Sequence, residues 1–182
     1  MPWLEFEVGD MRSLPPSLDQ FDRITGNLSF MFFRPNRYEA LKQLVKFLKP
    51  GGQMVLTFPS LGTFDSLWKR VDDEMKSKNL INEQKALTEY IEERPSAKQA
   101  RQWLEELGME KVRVTERPLE IQSGPGREFL EHPLLRGGFL DDVYECFEDQ
   151  FLAEEFMTNI SNDLPSFTPL IAQRCAMSGW VP

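Results

Sequence analysis

The sequence has few of the residues that build disulfide frameworks and metal clusters. Among its 182 residues there are two cysteines, Cys146 and Cys175, and one histidine, His132. Two thiols and one imidazole exclude a disulfide scaffold and a four-ligand zinc site. We therefore expect no metal centre, and cysteines that pack as small core residues.

Long apolar runs are also missing. No stretch reaches the roughly 18 apolar residues of a membrane-spanning helix, and the first seven residues have neither the basic nor the apolar part of a secretory signal. These absences predict a cytoplasmic protein with no membrane partner. Hydrophobic residues make up 41% of the chain, so we expect a single folded domain over residues 1–182.

Negative charge is concentrated in one part of the chain. The formal net charge is −8, and residues 128–163 contain ten acidic residues against one basic residue, Arg136. The remainder is nearly neutral, with 20 basic and 19 acidic residues. Because nucleic-acid binding depends on lysine and arginine displacing counterions, this charge argues against a nucleic-acid partner.

The first 60 residues have the pattern of a strand-helix-strand unit with a further strand before it. Alternation of apolar and charged residues, capping signals and a short apolar run indicate these elements. In order they are a strand at 4–8, a strand at 21–28, a helix opened by Asn36 and Glu39, a Pro-Gly-Gly turn at 50–52 and a strand at 53–58.

The rest of the chain alternates between helical and extended patterns. We expect a helical cap at 61–95, with a helix and then a looser connection, a helix opened by Ser96 and Gln99 and a strand within 96–121, an acidic helical insertion at 122–165, and a closing strand within 166–182. Together these elements predict an α/β fold with a doubly wound, Rossmann-like sheet.

The acidic insertion is predicted to contain an amphipathic helix. Its apolar residues recur every three to five positions from Leu140 to Phe156, with acidic residues between them. The helix could pack on the core with a solvated acidic face, or it could cap a ligand pocket. The pairs Asp141-Asp142 and Glu154-Glu155 are expected at the solvated surface, because adjacent helical residues point about 100° apart.

Two strand ends carry polar residues that could bind a ligand. Asp10 and Met11 follow the first predicted strand, and Asn27 and Leu28 end the second. In doubly wound sheets, ligands bind at the carboxyl ends of the strands. The same residue types also occur in ordinary loops.

Four sequence segments resemble the class I S-adenosylmethionine-dependent methyltransferases. They are residues 6–15 (Phe-Glu-Val-Gly-Asp-Met-Arg-Ser-Leu-Pro), 21–24 (Phe-Asp-Arg-Ile), 27–28 (Asn-Leu) and 48–56 (Leu-Lys-Pro-Gly-Gly-Gln-Met-Val-Leu). Their order is similar to that in the small-molecule methyltransferases of biotin and ubiquinone synthesis. The resemblance implies in-line methyl transfer from S-adenosylmethionine, with Asp10 at the adenine amine, the Met11 backbone at the ring edge, and Asn27 and Leu28 facing the methionine end.

The sequence also departs from this family. The family's first strand, its Gly-x-Gly turn and the following strand are not found, and Gly-Pro-Gly at 124–126 is out of order and is interpreted as a turn. Met1 is either an internal methionine of a longer protein or the start of a truncated paralogue. The missing central strand would leave a sheet edge exposed, so we expect a homodimer through that edge.

Two functions remain open at this point. The first is a methyltransferase for a small organic molecule, with His132 as the base that deprotonates the acceptor, or as a structural residue. Six aromatic residues could line its acceptor pocket or belong to the core: Phe64, Trp68, Phe129, Phe139, Tyr144 and Phe147. The second is a methyltransferase-like binding module that has lost the cofactor. A hydride-transferring oxidoreductase is disfavoured because the dinucleotide fingerprint is absent.

Overall fold

The computed structural model describes residues 6, 8–11, 13–15 and 18–182. Within them the chain forms a mixed α/β structure with a four-stranded sheet. Short 3₁₀ turns lie at Phe30–Phe32 and Leu164–Ser166, and a π turn at Arg136–Leu140. The elements are β1 (Phe21–Asn27), α1 (Arg37–Lys46), β2 (Leu48–Pro59), α2 (Asp65–Ser77), α3 (Ile81–Glu92), α4 (Ala97–Glu106), β3 (Glu110–Ile121), α5 (Arg127–Leu130), α6 (Pro133–Leu135), α7 (Asp141–Tyr144), α8 (Gln150–Asn162) and β4 (Leu170–Trp180).

The strands follow the order β1-β2-β4-β3. β1 and β2 are parallel, with Asn27 opposite Thr57, and α1 forms the crossover between them. β4 is antiparallel to β2, since backbone hydrogen bonds join Gly51 to Val181 at one end and Ser60 to Gln173 at the other. The predicted α/β, Rossmann-like fold is confirmed, with an acidic helical segment between β3 and β4.

The chain divides into two compact units. The first unit comprises residues 1–59, 95–116 and 175–182, and the second comprises residues 60–94 and 117–174. Among the described residues of the first unit, a core cluster is made by Phe30, Leu41, Leu44, Leu48, Met54, Leu56, Phe58, Ala100, Leu104, Met109, Cys175 and Met177. The second unit buries many rings, including Phe64, Trp68, Tyr90, Phe129, Phe139, Tyr144, Phe147, Phe156 and Phe167.

The two predicted helix starts in the first unit are confirmed, but only one has its capping bond. The Ser96 hydroxyl accepts a hydrogen bond from the Gln99 amide at 3.1 Å and opens α4. Asn36 precedes α1 without a side-chain capping bond. α1 is held instead by its buried face, which includes Ala40, Leu41 and Leu44.

The strand predicted at 4–8 is absent from the two residues of that range that the structure describes. Residues 4, 5 and 7 lie outside the described residues, and Phe6 and Val8 are exposed and in no strand.

Two helical predictions need correction. The looser connection expected late in 61–95 is the regular helix α3, which buries Leu87 and Tyr90. The single amphipathic helix expected in the acidic insertion is broken, because the Asp149 carboxylate accepts hydrogen bonds from the amides of Phe151 and Leu152 and starts α8 anew. Phe151, expected on the buried stripe, is 89% exposed.

Candidate cofactor site

The carboxyl ends of β1 and β2 form one hydrogen-bonded corner within the first unit. The Thr57 hydroxyl donates to Asn27 Oδ1 at 2.6 Å. The Leu28 amide donates to both the carbonyl and the hydroxyl oxygen of Thr57, at 3.1 Å each. Two of the predicted cofactor residues, Asn27 and Leu28, are thus fixed by a third residue, Thr57, that sequence reasoning missed.

The backbone at this corner is locally constrained. Leu28 has φ +54°, a left-handed conformation that is uncommon for leucine. A Cβ at Gly26, two residues earlier, would lie 2.5 Å from Ser29 Oγ and 2.9 Å from Leu56 Cδ2, so a larger residue there would require both side chains to shift. Strained positions of this kind persist where the surrounding structure fixes them, and they are frequent at ligand sites.

The other two predicted residues lie in the segment that precedes β1. The Asp10 carbonyl accepts a hydrogen bond from the Ser13 amide at 2.9 Å, which makes a turn, and the Asp10 side chain is exposed. Met11 is partly buried and packs against the core cluster of the first unit. This turn holds Met11 against the sheet and leaves the Asp10 side chain at the surface.

A cavity of about 580 Å³, here called the β1 cavity, lies along β1 in the first unit. Its volume is that of a small-molecule pocket. Met11 lines it, whereas Asp10, Asn27 and Leu28 are not among its described lining residues. Those residues are Val8, Gly9, Met11, Leu14, Pro15, Leu18, Phe21, Arg23, Ile24, Thr25, Leu44 and Phe47.

The chemistry of these two features fits the two ends of a nucleoside sulfonium. The β1 cavity offers mostly apolar side chains with Arg23 and Thr25, which suits a flat aromatic ring. The corner offers an amide oxygen and a hydroxyl, which suit an ammonium or hydroxyl group. S-adenosylmethionine carries both kinds of group, so the residues present are compatible with it.

His132 lies in the second unit. It is half-buried, and its Nδ1 accepts a hydrogen bond from the Leu134 amide at 3.3 Å, so the imidazole caps the short helix α6. A shallow depression next to it is lined by Arg127, Glu128, Glu131 and Pro133. The sequence prediction of either a base or a structural residue stays open, although the capping bond is a structural role.

The cysteines and the predicted lining aromatics belong to the core or its edge. Burial raises the pKa of each thiol, Cys146 and Cys175, to about 11, so both stay protonated at neutral pH and are poor nucleophiles. The six aromatic residues proposed as pocket lining are all buried, and only Tyr144 also lines a described cavity. Over the described part of the chain, no group of three or more metal-ligating side chains occurs.

None of the helices in the described residues is both long enough and apolar enough to cross a bilayer.

The chain was compared with known proteins in sequence and in structure. Residues 1–56 match a protein family described as "Methyltransferase domain". A tRNA U34 carboxymethyltransferase from Chromohalobacter salexigens is 30% identical over 132 residues, which are 72% of this chain and 36% of that protein. The chain thus spans about a third of the length of this curated relative.

Two solved structures illustrate the likeness in fold. The YcgJ protein from Bacillus subtilis has a TM-score of 0.51 at 14% identity, over 95% of this chain and 69% of that one. A phosphoethanolamine N-methyltransferase 2 from Haemonchus contortus, solved with phosphomonomethylethanolamine and S-adenosylhomocysteine, has a TM-score of 0.50 at 11% identity, over 95% of this chain and 36% of that one. The resemblance to the class I S-adenosylmethionine-dependent methyltransferases is therefore confirmed, in sequence over residues 1–56 and in fold.

Proposed function

We propose that this chain is part of an S-adenosylmethionine-dependent methyltransferase that acts on a small organic molecule. The observation that carries the proposal is that the family match and the candidate cofactor site lie in the same segment of the chain. The family match covers residues 1–56, and the same segment holds the β1 cavity and all of the hydrogen-bonded corner except Thr57. Ligand-binding features and family likeness therefore fall on one part of the chain.

The proposed cofactor residues divide between the cavity and the corner. Met11 would contact the edge of the adenine through its backbone, and Asp10 would accept from the adenine amine. Asn27 and the backbone at Leu28 would face the amino-acid end, held in place by Thr57. S-adenosylmethionine, when bound, supplies the methyl group, so the residues of this chain mainly position the reactants and exclude water.

A proton has to leave the acceptor if its attacking atom carries one. We propose His132 as the residue that takes it, since an imidazole is the side chain whose ordinary pKa is nearest to neutrality. In the structure Nδ1 accepts a hydrogen bond from the Leu134 amide, so the neutral imidazole carries its proton on Nε2. His132 can take up a proton only after that hydrogen bond breaks.

The substrate class follows from charge. The Chromohalobacter relative is named for a reaction on tRNA, but the present chain has a net charge of −8. Its 29 acidic residues outnumber its 21 lysines and arginines, and this excess of negative charge makes a polynucleotide substrate unfavourable. A small molecule without several negative charges suits this chain better.

The proposal includes a homodimer that forms through the edge of β1. β1 is at the end of the sheet order, paired with β2 on one side. An unpaired strand edge is a template for pairing with another strand. We propose that a second copy covers it, which sedimentation velocity would detect as a dimer whose fraction rises with concentration and which a monomer at high concentration would contradict.

The cofactor proposal is tested by calorimetric titration with S-adenosylhomocysteine. We expect micromolar binding, weakened at least tenfold by Asn27→Ala and by Asp10→Ala. Matched controls are Asn36→Ala and Asp19→Ala, because Asn36 makes no side-chain capping bond and Asp19 is an exposed loop residue outside the β1 cavity. The controls should bind as the parent does.

Two different results would contradict the residue assignment and the enzyme proposal. Binding that survives both Asp10→Ala and Asn27→Ala would remove these residues from the site. No binding by the folded parent chain would overturn the enzyme proposal for this chain and favour the non-catalytic binding module.

A further inference from the structure

A second cleft lies entirely within the second unit, against α8. Its volume is about 680 Å³, within the range of small-molecule sites. None of the residues proposed for the cofactor or as the base lines it. Its lining residues are Gly126, Arg127, Leu130, Glu131, Arg136, Tyr144, Glu154, Thr158, Ser161 and Asn162. We call it the α8 cleft.

The distribution of charge singles out this cleft. Between residues 127 and 163 the sequence has ten acidic residues but only two basic ones, Arg127 and Arg136. Both arginines line the α8 cleft. A segment that is strongly acidic elsewhere thus brings its two permanent cations to one surface.

The guanidinium groups of Arg127 and Arg136 form solvent-exposed ion pairs. Arg127 Nε pairs with Glu131 at 2.7 Å and Arg136 Nε pairs with Asp141 at 3.0 Å, and each of the four side chains is at least 48% exposed. Exposed pairs of this kind contribute little free energy and exchange readily. Each guanidinium also has several donors beyond Nε, so it can donate two parallel hydrogen bonds to a ligand carboxylate.

Two polar residues that line the cleft are buried, Ser161 and Tyr144. Tyr144 is 7% exposed, and the Arg136 guanidinium lies 5.0 Å from its ring centroid. Its hydroxyl interacts with both Arg136 and Glu154, and burial raises its pKa, so it remains a neutral donor. The tyrosine therefore links the cationic and the anionic side of the cleft.

We propose that the α8 cleft binds a small zwitterion, with its carboxylate on Arg127 and Arg136 and its ammonium group on Glu154 and Glu131. A purely anionic ligand would meet two carboxylates, and a purely cationic one would meet two guanidinium groups. A molecule with both charges can pair with the guanidinium groups and with the carboxylates at the same time. The inference concerns binding alone and stands whether or not the chain transfers methyl groups.

The test is a calorimetric or NMR titration with defined probes. Glycine, 4-aminobutyrate and 6-aminohexanoate vary the distance between the two charges, and hexanoate and hexylamine carry one charge each. We expect at least one zwitterion to bind at least tenfold more tightly than hexanoate and hexylamine. Arg136→Gln and Glu154→Gln should each weaken that binding tenfold or more.

The control is Arg117→Gln, which makes the same charge change on an exposed residue of β3 outside the cleft. It should leave binding unchanged, and circular dichroism melts should show that all variants fold. The proposal is overturned if no zwitterion binds up to about 10 mM, if hexanoate or hexylamine binds equally well, or if Arg136→Gln behaves as Arg117→Gln does. S-adenosylhomocysteine binding is measured separately, so failure here leaves the cofactor proposal untouched.

Discussion

The two compact units differ in how their interiors are filled. The core cluster of the first unit is mainly aliphatic, with Phe30 and Phe58 packed edge to face at 5.2 Å. The second unit buries a guanidinium among rings. Arg94 is 7% exposed and lies 4.5 to 5.1 Å from the ring centroids of Trp68, Tyr90 and Phe139.

Arg94 also ties together parts of the second unit through hydrogen bonds. Its Nη1 donates to the Thr63 carbonyl at 3.0 Å, which also accepts from Trp68 Nε1 at 2.6 Å. Its Nη2 donates to the Tyr90 hydroxyl. The first unit also buries a guanidinium, that of Arg37, which is 6% exposed and donates to the Met31 carbonyl at 3.0 Å. The two interiors therefore differ in the rings that surround Arg94, rather than in the burial of a charge.

The largest effect is expected from a ring in the first core. Phe30→Ala removes a fully buried side chain that contacts Phe58, Phe33 and Trp103. The free energy of unfolding should fall by about 4 kcal/mol, because transfer and cavity terms add. Urea unfolding measures this against Phe32→Ala, whose ring belongs to the same 3₁₀ turn but is 58% exposed. Equal losses for the two variants would contradict the assignment of Phe30 to the core.

A slightly smaller effect is expected from the buried guanidinium. Arg94→Ala removes three ring contacts and leaves the Thr63 carbonyl and the Tyr90 hydroxyl with fewer partners, so unfolding should become easier by about 3 kcal/mol. Arg101→Ala, on the exposed face of α4, should change stability by less than about 0.5 kcal/mol. If Arg94→Ala were as mild as Arg101→Ala, the contrast between the two cores would fail.

This contrast explains much of what the sequence could and could not predict. α1 and residues 53–58 of β2 were predictable because buried apolar residues recur there at regular intervals. The Pro-Gly-Gly segment predicted as a turn at 50–52 is instead part of β2, which begins at Leu48. Burial of Arg94 was not predictable, since arginine is ordinarily a surface residue and only the arrangement of three distant rings around it makes burial favourable. The break before α8 depended on the Asp149 side chain bonding two amides, a local competition that apolar periodicity does not reveal.

In the candidate site, too, local sequence patterns predict some features, whereas others depend on the tertiary structure. The position of Asn27 and Leu28 at the end of β1 could be predicted from the strand pattern, whereas their contact with a cofactor stays a prediction. Thr57 could not be predicted, since its role depends on the register that places it opposite Asn27 across two strands 30 residues apart. The α8 cleft brings together residues from α5, the π turn and α8. No local sequence motif predicts such a cleft.

A third prediction compares two helix starts in the first unit. Ser96→Ala removes the hydroxyl that accepts the Gln99 amide and should lower stability by about 1 kcal/mol. Asn36→Ala should have almost no effect, because Asn36 makes no such bond. Thermal or urea unfolding of the two variants measures the difference, and a loss at Asn36 as large as that at Ser96 would show that α1 is capped after all.

The smallest effect concerns pH and the end of α8. The hydrogen bond from Arg70 Nε at 2.8 Å, helped by one from Ser166, lowers the pKa of Asp163. A carboxyl whose pKa is lower in the folded state contributes stability above its unfolded pKa of about 3.9, and this stability is lost as the pH falls through the folded pKa. Asp163→Asn should therefore lower the melting temperature slightly at pH 6 and converge with the parent as the pH falls below 4. Asp19→Asn, at an exposed loop residue, serves as the control, and an Asp163→Asn difference that stayed constant down to pH 3 would rule out the ion pair with Arg70 as its source.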